Sequence, residues 1–318
     1  MKIDRNTWLD LLDREYLDGF VKDGGAAVKF ALVSDRRDGD SLVEEMGRRA
    51  QTHGYLVAVV DAAATRVQYT QDVFFSIARQ VPWTDLTRRY LTKIYGDLGY
   101  RVEGEDIQIE AVAAANGVEP NLLRMELRLA LQQQLIRRSD ELAKDFRWAM
   151  FGLCAGEAGL TPDVAAVNEW LRGELRLISG LKIFQIFRKI ARHNARAMIA
   201  SLGAWCRMAG LTGLTLVIDI RQLAIAKRPE VAPDTVFYTM AALIDCYEVL
   251  RQLIDDTDDL DGVLCLVLSR PELFDQDNRR GVNAYKALKE RVFTDVVIHQ
   301  APNPLSSVVS FDSVSMTS

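Results

Sequence analysis

The stretch that decides the fold is Ala27-Val28-Lys29-Phe30-Ala31-Leu32-Val33, followed by Ser34-Asp35-Arg36-Arg37-Asp38-Gly39-Asp40-Ser41. The first part is an apolar run that predicts a buried strand, and the second part is polar and contains a glycine. An amphipathic segment at about 40–53 follows and predicts a helix. A strand, a loop of this length and a helix are the context in which the phosphate-binding motif G-x-x-x-x-G-K-[ST] operates.

Compared with that motif, the loop has the right outline and the wrong chemistry. Ser34 stands at the first glycine, Gly39 at the second, Asp40 at the lysine and Ser41 at the hydroxyl. The lysine of a working loop places a positive charge against the phosphates, whereas Asp40 would place a negative charge there. Like charges a few ångströms apart at a partly buried site repel by several kcal/mol at an effective dielectric of about 20. We therefore do not expect this loop to bind a nucleoside triphosphate in the usual way.

Two arginines in the same loop leave an alternative open. Arg36 and Arg37 could bind an anion together with the backbone amides at the start of the helix. The simpler interpretation is that both are surface charges.

The composition is that of a globular protein without a global positive field. The chain has 318 residues, of which 49% are hydrophobic and 26% are charged, and its net charge is −5. A length of this kind suits one large domain or two ordinary ones. The negative net charge excludes general attraction to nucleic acid or anionic lipid, although a local basic patch is compatible with it.

Targeting, metal and redox signals are missing from the sequence. The cysteines, Cys154, Cys206, Cys246 and Cys265, form no C-x-x-C pair, and the histidines show no metal spacing. The polar start contains no signal-peptide core, and no apolar run approaches the roughly 20 residues that span a bilayer. The sequence predicts a cytoplasmic protein with no metal site and no membrane segment.

The order of the remaining segments predicts an α/β fold with a parallel sheet. Buried strands are predicted at 55–61, 214–219 and 263–268, with a fifth near Asp295–His299, and 70–210 is almost wholly helical, including single helices over 119–147 and 179–209. The predicted divisions are an N-terminal helix (1–22), the first half of the core (23–83), a helical insertion (84–178), the second half of the core (179–303) and a tail (304–318) that is either an edge strand or disordered.

An ATPase with such a loop also needs an acid pair on a neighbouring strand, one to hold Mg²⁺ through water and one to polarise the attacking water. The strand 214–219 ends in Asp219, which supplies the first acid or simply caps a loop. The next residue is Ile220, which cannot accept a proton, so the general base is missing. Both catalytic elements therefore fail together.

Two further sets of basic residues are candidates for contacts. The strand 263–268 leads to Ser269-Arg270, where ATPases of this topology place a polar sensor, although a solvent-facing arginine is the simpler interpretation. On the predicted helix 179–209, Arg188, Arg192 and Arg196 recur every four residues and predict a cationic stripe. The stripe would contact a phosphate backbone or an acidic partner, or else is a solvated face.

Three stretches of the chain resemble the BREX-system ATP-binding proteins. They are Trp8-x-x-Leu11-Leu12 through Gly24-Gly25-Ala26-Ala27-Val28-Lys29-Phe30, then Trp170-Leu171-Arg172-Gly173-Glu174, and then Ser269-Arg270-Pro271-Glu272-Leu273-Phe274 with Tyr285-Lys286-Ala287-Leu288 and Arg291. The resemblance implies an AAA-like (ASCE) P-loop NTPase core with a large helical insertion, in a prokaryotic phage-defence cassette. Asp40, Ser34 and Ile220 depart from the family pattern and argue against ATP hydrolysis.

Three functions follow from these patterns. The first is a pseudo-ATPase subunit without a cofactor, which assembles with an active ATPase paralogue or another defence protein and contributes Arg270 or Arg291 to the partner. The second is a nucleotide-binding switch or weak ATPase that holds ATP and Mg²⁺ through Arg36, Arg37 and Ser41. The third is a DNA-binding module that uses Arg188, Arg192 and Arg196.

Overall fold

The computed structural model describes residues 2–161, 163–225, 234–293 and 305–311. Within these ranges the strands are β1 (Lys2–Ile3), β2 (Ala26–Leu32), β3 (Tyr55–Asp61), β4 (Gly213–Asp219), β5 (Val263–Ser269) and β6 (Val308–Phe311). The α-helices are α1 (Arg5–Leu12), α2 (Arg36–Thr52), α3 (Thr70–Ala78), α4 (Trp83–Asp97), α5 (Ile109–Asn116), α6 (Pro120–Leu131), α7 (Lys144–Glu157), α8 (Ala165–Arg172), α9 (Arg192–Met208), α10 (Met240–Asp255) and α11 (Lys286–Phe293). Short π-helical stretches extend α1 and α6, at Asp13–Phe20 and Gln132–Arg137.

The chain divides into two compact units. The sheet unit comprises Met1–Ile77 and Thr212–Ser318, and the helical unit comprises Ala78–Leu211. The helical unit therefore extends beyond the predicted insertion 84–178 at both ends, and at the C-terminal end it includes α9, whose Trp205 lies against the Tyr90 ring of α4. Among the described residues, no helix is both long enough and apolar enough to cross a membrane.

The sheet unit contains a six-stranded parallel sheet with the order β1-β6-β2-β5-β4-β3. The strands predicted at 27–33, 55–61, 214–219 and 263–268 are confirmed as β2, β3, β4 and β5. Strand β5 lies between β2 and β4, so one strand separates the acid-bearing strand from the strand that precedes the motif-like stretch. The parallel sheet with its many helices is consistent with the predicted P-loop NTPase-like fold.

The strands are buried because the sheet is covered on both faces. Every residue of β5 is buried, and β4 is buried except for its last residue, Asp219. Parallel strands covered on both faces are read as continuous apolar runs, which is why the sequence located them. One face packs against α1 and α2, whose side chains Trp8, Leu42 and Met46 belong to a cluster with Val217 and Leu266.

Part of the predicted tail forms a strand. Strand β6 pairs with β2 on one side, and its residues Ser310 and Phe311 pair with the two-residue β1 on the other, so β6 is next to the edge and is not the outermost strand. The fifth strand predicted near Asp295–His299 lies outside the described residues, as does the end of the tail.

Two long helices predicted in the helical unit are interrupted. The predicted helix 119–147 leaves the helical path after Arg137, and α7 begins at Lys144, where the amide of Ala143 donates to Ser201 Oγ at 2.8 Å. The predicted helix 179–209 is a 3-10 helix over Ile178–Phe184, a non-helical segment and α9. Gln185 has a left-handed backbone (φ 57°), which ends the first helix.

A polar cluster in the sheet unit makes stability depend on pH. The Glu248 carboxylate on α10 accepts hydrogen bonds from the Arg251 guanidinium at 2.7 and 2.8 Å, from Gln252 and from the Tyr285 hydroxyl. The hydrogen bonds from Arg251, and then those from Tyr285 and Gln252, lower the pKa of Glu248 to about 2 against the opposing effect of burial. Because the pKa is depressed, this stabilisation is complete above the ordinary pKa of 4.5 and is lost as the pH falls towards 2.

We expect Glu248→Gln to lower the free energy of unfolding by about 1–2 kcal/mol at pH 7, a figure reduced for partial exposure of the pair. The difference from wild type should shrink steadily between pH 4.5 and pH 2. Urea denaturation across that range measures it, with Glu44→Gln on an exposed face of α2 as the control. A deficit that stays constant down to pH 2 would contradict the assignment.

Candidate functional site

The carboxyl ends of the parallel strands meet at one edge of the sheet, where ligands bind in open α/β folds. A cleft of about 200 Å³ lies at this edge. Its charged lining residues are Asp35, Arg36, Asp61, Asp219, Arg221 and Arg270, and its other lining residues are Ser34, Ala63, Gln222, Ile225 and Thr235. Asp61 and Asp219 are register partners at the ends of β3 and β4. The cleft is therefore built from the residues that directly follow β2, β3, β4 and β5.

Arg221 connects Asp219 with Asp40, two of the residues that we predicted for the nucleotide site. Its Nε and Nη2 donate to the two carboxylate oxygens of Asp219 at 3.0 and 2.6 Å, and its own backbone amide donates to Asp219 Oδ1 at 3.0 Å. The same Nη2 donates to Asp40 Oδ1 at 2.6 Å, and Nη1 donates to the carbonyl of Arg36 at 2.9 Å. One guanidinium thus holds the end of β4 to the first turns of α2.

The bridge lies largely out of solvent. The side chains of Arg221 and Asp219 are 15% and 13% exposed, whereas that of Asp40 is 57% exposed. Burial disfavours the charged guanidinium, but the hydrogen bonds to Asp219 and Asp40 outweigh it, and the pKa of Arg221 is raised above its ordinary value. Arg221 therefore stays charged at every pH at which the protein is folded.

Gly39 leaves the space that the Arg221 guanidinium occupies. A Cβ atom added at Gly39 would lie 2.1 Å from Arg221 Nη1. Such a distance is far inside van der Waals contact, so a side chain at this position would displace the arginine. Gly39 therefore makes room for the Arg221 side chain and not for a bound phosphate.

The connection between β2 and α2 is shorter than the sequence indicated. We predicted that the helix starts at about residue 40, but α2 begins at Arg36, so residues 36–39 are helical as well. Asp35 caps the helix, and its Oδ1 accepts from the amide of Arg37 at 2.7 Å. An N-cap aspartate satisfies the free amides that an anion would otherwise use. The helix starts earlier than predicted because Asp35 is a favourable N-cap residue. Gly39 lowers the helix propensity of the first turns but does not prevent the helix from forming there.

The cleft gathers some of the predicted nucleotide-site residues and excludes others. Ser34, Arg36 and Asp219 line it, and Asp40 reaches it through Arg221. Arg37 is exposed and does not line the cleft. Ser41 also lies outside the lining, and its Oγ accepts from Arg5 Nη2 at 3.0 Å.

Ile220, at the position where we looked for a general base, has a structural role. Ile220 is fully buried, and its amide donates to the carbonyl of Leu268 at 2.8 Å. The residue therefore serves the junction of β4 with β5 and presents no polar group to the cleft.

The arginines predicted to contact a partner do not form one surface. Arg270 lines the cleft and pairs with Glu272 at 2.8 Å. Arg291 pairs with Asp255 at 2.9 Å. Asp255 is the last residue of α10, which leads to the beginning of β5, so Arg291 belongs to the opposite edge of the sheet. Of the two predicted contact arginines, Arg270 therefore lines the cleft and Arg291 does not.

The predicted cationic stripe does not exist as a helical face. Arg188 lies in the non-helical segment before α9 and donates to the buried carboxylate of Asp145 at 3.0 Å. Arg192 and Arg196 lie in the first turns of α9. The four-residue spacing does not align the three arginines, because the helix begins only at Arg192 and Arg188 precedes it.

Asp35, Asp61 and Arg221 are charged cleft residues that were not among the predicted site residues. Asp61 ends a buried strand and so carried a detectable signal, the same one that marked Asp219. Arg221 carried none, because nothing in the sequence relates its position to Asp40, 181 residues away. Among the described residues, no group of three or more histidine, cysteine, aspartate or glutamate side chains is placed to hold a metal ion.

Comparison with known proteins gives one positive result. A family model described as BREX system ATP-binding protein BrxC/D matches residues 109–317. The match includes Asp219, Arg221 and Arg270 and begins after β2, α2 and β3. A search of curated proteins found no match, and a search of solved structures found none either. Because the matched residues make up more than half of the chain, the protein belongs to the BREX system ATP-binding protein family BrxC/D.

Proposed function

We propose that this chain is a catalytically degenerate P-loop subunit that acts as a scaffold or regulatory partner in a prokaryotic anti-phage defence complex. Membership of the BREX family suggests a role in a phage-defence system with other proteins of that system. The degenerate character and the scaffold role are our inference, and they rest on the chemistry of the cleft.

The observation that carries the proposal is the Arg221 bridge between Asp40 and Asp219. In a working site the phosphates and Mg²⁺ stand between the lysine of the loop and the acid of the strand. Here the two positions hold carboxylates, and the Arg221 guanidinium pairs with both, while Arg36 Nε also lies 3.8 Å from Asp40 Oδ2. The two carboxylates are therefore already paired with cations of the chain itself, which supports a site without Mg²⁺-bound nucleotide.

The residues present do not fit Mg²⁺-bound ATP for two further reasons. Asp35 already accepts from the start of α2, so a phosphate there would displace a bonded carboxylate and meet its negative charge. The helical conformation of residues 36–41 also removes the loop whose amides would surround the phosphates. Both features support a subunit that keeps the fold without the nucleotide.

We expect isothermal titration calorimetry to show no binding of ATP or ADP with Mg²⁺ to the wild type. We also expect none for Asp40→Lys, because the helical backbone and Asp35 would remain. If the charge of Asp40 were the only obstacle, Asp40→Lys would bind nucleotide. No binding by this variant would show that the helical backbone is also an obstacle. Micromolar binding by the wild type would overturn the proposal and favour the nucleotide switch.

The partner role is tested by reconstitution with an ATPase of the same defence system. We expect the purified chain to form a complex with that ATPase and Arg270→Ala to change the ATPase rate of the complex, since Arg270 is the predicted contact arginine at the cleft. Arg291→Ala is the matched control at the other edge of the sheet. The absence of any complex would count against the scaffold role even if no nucleotide binds.

A further inference from the structure

The segment from Arg176 to Lys189, called here the basic segment, presents exposed apolar and positively charged side chains together. Leu177, Ile183 and Phe187 are 73%, 77% and 57% exposed. The exposed cations of the segment are Arg176, Lys182, Arg188 and Lys189. Large apolar side chains that are exposed as a group mark protein or membrane interaction sites. The basic segment is therefore a candidate contact surface.

A 3-10 helix at Ile178–Phe184 sets the order of these side chains. In a 3-10 helix the side chains at positions i and i+3 lie one above the other. Leu181 and Phe184 form the inward row and are buried, which turns the intervening Lys182 and Ile183 towards solvent. A cation and a large apolar residue therefore lie side by side on the outer surface of the helix.

Backbone contacts hold the basic segment in place. The Trp170 indole donates to the carbonyl of Arg188 at 2.9 Å, and Lys189 Nζ donates to the carbonyl of Arg176 at 3.0 Å. The second of these bonds brings the two ends of the segment together, so the exposed side chains at both ends are neighbours. The segment presents them on an ordered backbone, which lowers the entropy that binding would cost.

The positive charge of the segment is largely unbalanced. The stretch 175–218 contains no aspartate or glutamate, although the net charge of the whole chain is −5. Arg188 pairs with the buried carboxylate of Asp145 at 3.0 Å. Arg176 and Lys182 have no ion-pair partner within the residues that the structure describes. An anionic surface would therefore attract this segment and repel the acidic remainder of the chain.

The combination of side chains favours an anionic lipid surface over other partners. Segments that lie in a membrane interface combine lysine and arginine with phenylalanine and leucine, and their cations are attracted to negatively charged headgroups. Protein–protein interfaces, by contrast, are depleted in lysine. Contacts to the phosphates of nucleic acid need only the cations, and they would leave Leu177, Ile183 and Phe187 in water.

We propose that the basic segment binds at the surface of a membrane that contains anionic lipids. Leu177, Ile183 and Phe187 enter the boundary between the headgroups and the acyl chains, while Arg176 and Lys182 contact the headgroup phosphates. Because the segment belongs to the helical unit, this inference is independent of the nucleotide cleft and of the scaffold role.

Flotation with lipid vesicles tests the proposal. We expect the wild type to float with vesicles of phosphatidylcholine and phosphatidylglycerol, and far less with phosphatidylcholine alone or at high salt, because salt screens exposed charges. Ile183→Ser/Phe187→Ser and Arg176→Gln/Lys182→Gln should each weaken the binding by at least roughly tenfold. All four positions are exposed, so we expect the variants to fold, and circular dichroism checks this.

Each variant has a matched control in the same helical unit. Leu122→Ser/Met125→Ser replaces exposed apolar side chains on α6, and Arg137→Gln/Arg138→Gln replaces exposed cations. Both controls should bind the vesicles as the wild type does. Equal losses in the controls and in the variants of the basic segment would show that binding does not depend on this segment, and would overturn the proposal.

A fluorescent label measures the insertion directly. The four native cysteines are buried, so Ile183→Cys supplies one exposed thiol for an environment-sensitive dye. We expect the emission of this dye to shift to shorter wavelength when the anionic vesicles are added. The same dye on Leu122→Cys is the control and should not shift.

A wild type that does not bind the anionic vesicles would overturn the proposal. If a DNA duplex bound instead, and Arg176→Gln/Lys182→Gln abolished that binding, the segment would belong to a nucleic-acid site. If an ATPase of the defence system shifted the dye on Ile183→Cys and the vesicles did not, the segment would contact a protein.

Discussion

Replacing Arg221 with leucine is expected to lower the free energy of unfolding by about 2–4 kcal/mol. Removing one partner of a largely buried ion pair leaves an uncompensated charge, which is strongly destabilising. Here the loss would leave the Asp219 carboxylate, only 13% exposed, without the guanidinium that accounts for three of its hydrogen bonds. Asp40 would lose one of its two cationic partners, but Arg36 remains 3.8 Å away and the greater exposure of Asp40 lets water replace part of the interaction. Urea denaturation with an unchanged m-value measures the effect.

A second pair of changes separates charge from packing. Adding Asp40→Asn and Asp219→Asn to Arg221→Leu removes the unpaired negative charges and should recover part of the lost stability. Arg270→Leu is the matched control, because Arg270 lies at the same edge but pairs with a more exposed glutamate and should cost less than about 1 kcal/mol. If Arg221→Leu cost no more than Arg270→Leu, the bridge would not be the stabilising element that we infer.

Gly213→Ala is expected to cost about 3 kcal/mol or more, because it inserts a methyl group against backbone at the start of β4. The new Cβ atom would lie 2.1 Å from the carbonyl oxygen of Gly262 and 3.0 Å from a ring carbon of Tyr55. That same carbonyl accepts from the amide of Leu214 at 2.9 Å, so the backbone cannot move away without breaking the β4–β5 ladder. Thermal unfolding followed by circular dichroism gives the change.

The matched control for this substitution is Gly47→Ala in α2. A Cβ atom there would lie 3.6 Å from Val57 Cγ1, which is ordinary van der Waals contact. Alanine is the better helix former by about 0.5–1 kcal/mol, so this variant should be as stable as the wild type or slightly more stable. If Gly213→Ala and Gly47→Ala lowered the stability equally, the close approach of β4 to β5 would not be what requires glycine at position 213.

Arg221→Leu and Gly213→Ala together test how the cleft is positioned. The register of β4 with β5 and β3 places Asp219 beside Leu268 and Asp61. The bridge then holds α2 to this edge. A loss of stability in Gly213→Ala would show that β4 cannot shift relative to β5. A loss in Arg221→Leu would show that the bridge holds α2 to the end of β4.

The sequence by itself determined the strands of the sheet and the family. Strands β2, β3, β4 and β5 were predictable because parallel strands buried on both faces must be continuous apolar runs, and four such runs separated by helical segments admit few other folds. The resemblance to BREX ATP-binding proteins, drawn from short stretches such as Trp170–Glu174, is confirmed by the family match.

Only the tertiary structure decided what the candidate site contains. Asp40 looked like an unbalanced charge in a loop, and it is a helical residue paired with Arg221 from the other half of the sheet unit. Arg188, Arg192 and Arg196 looked like one helical face, and the left-handed turn at Gln185 and the late start of α9 separate them. Periodicity reports local preference and burial, whereas the pairing of charges far apart in sequence and the points at which helices end depend on what the fold brings alongside them.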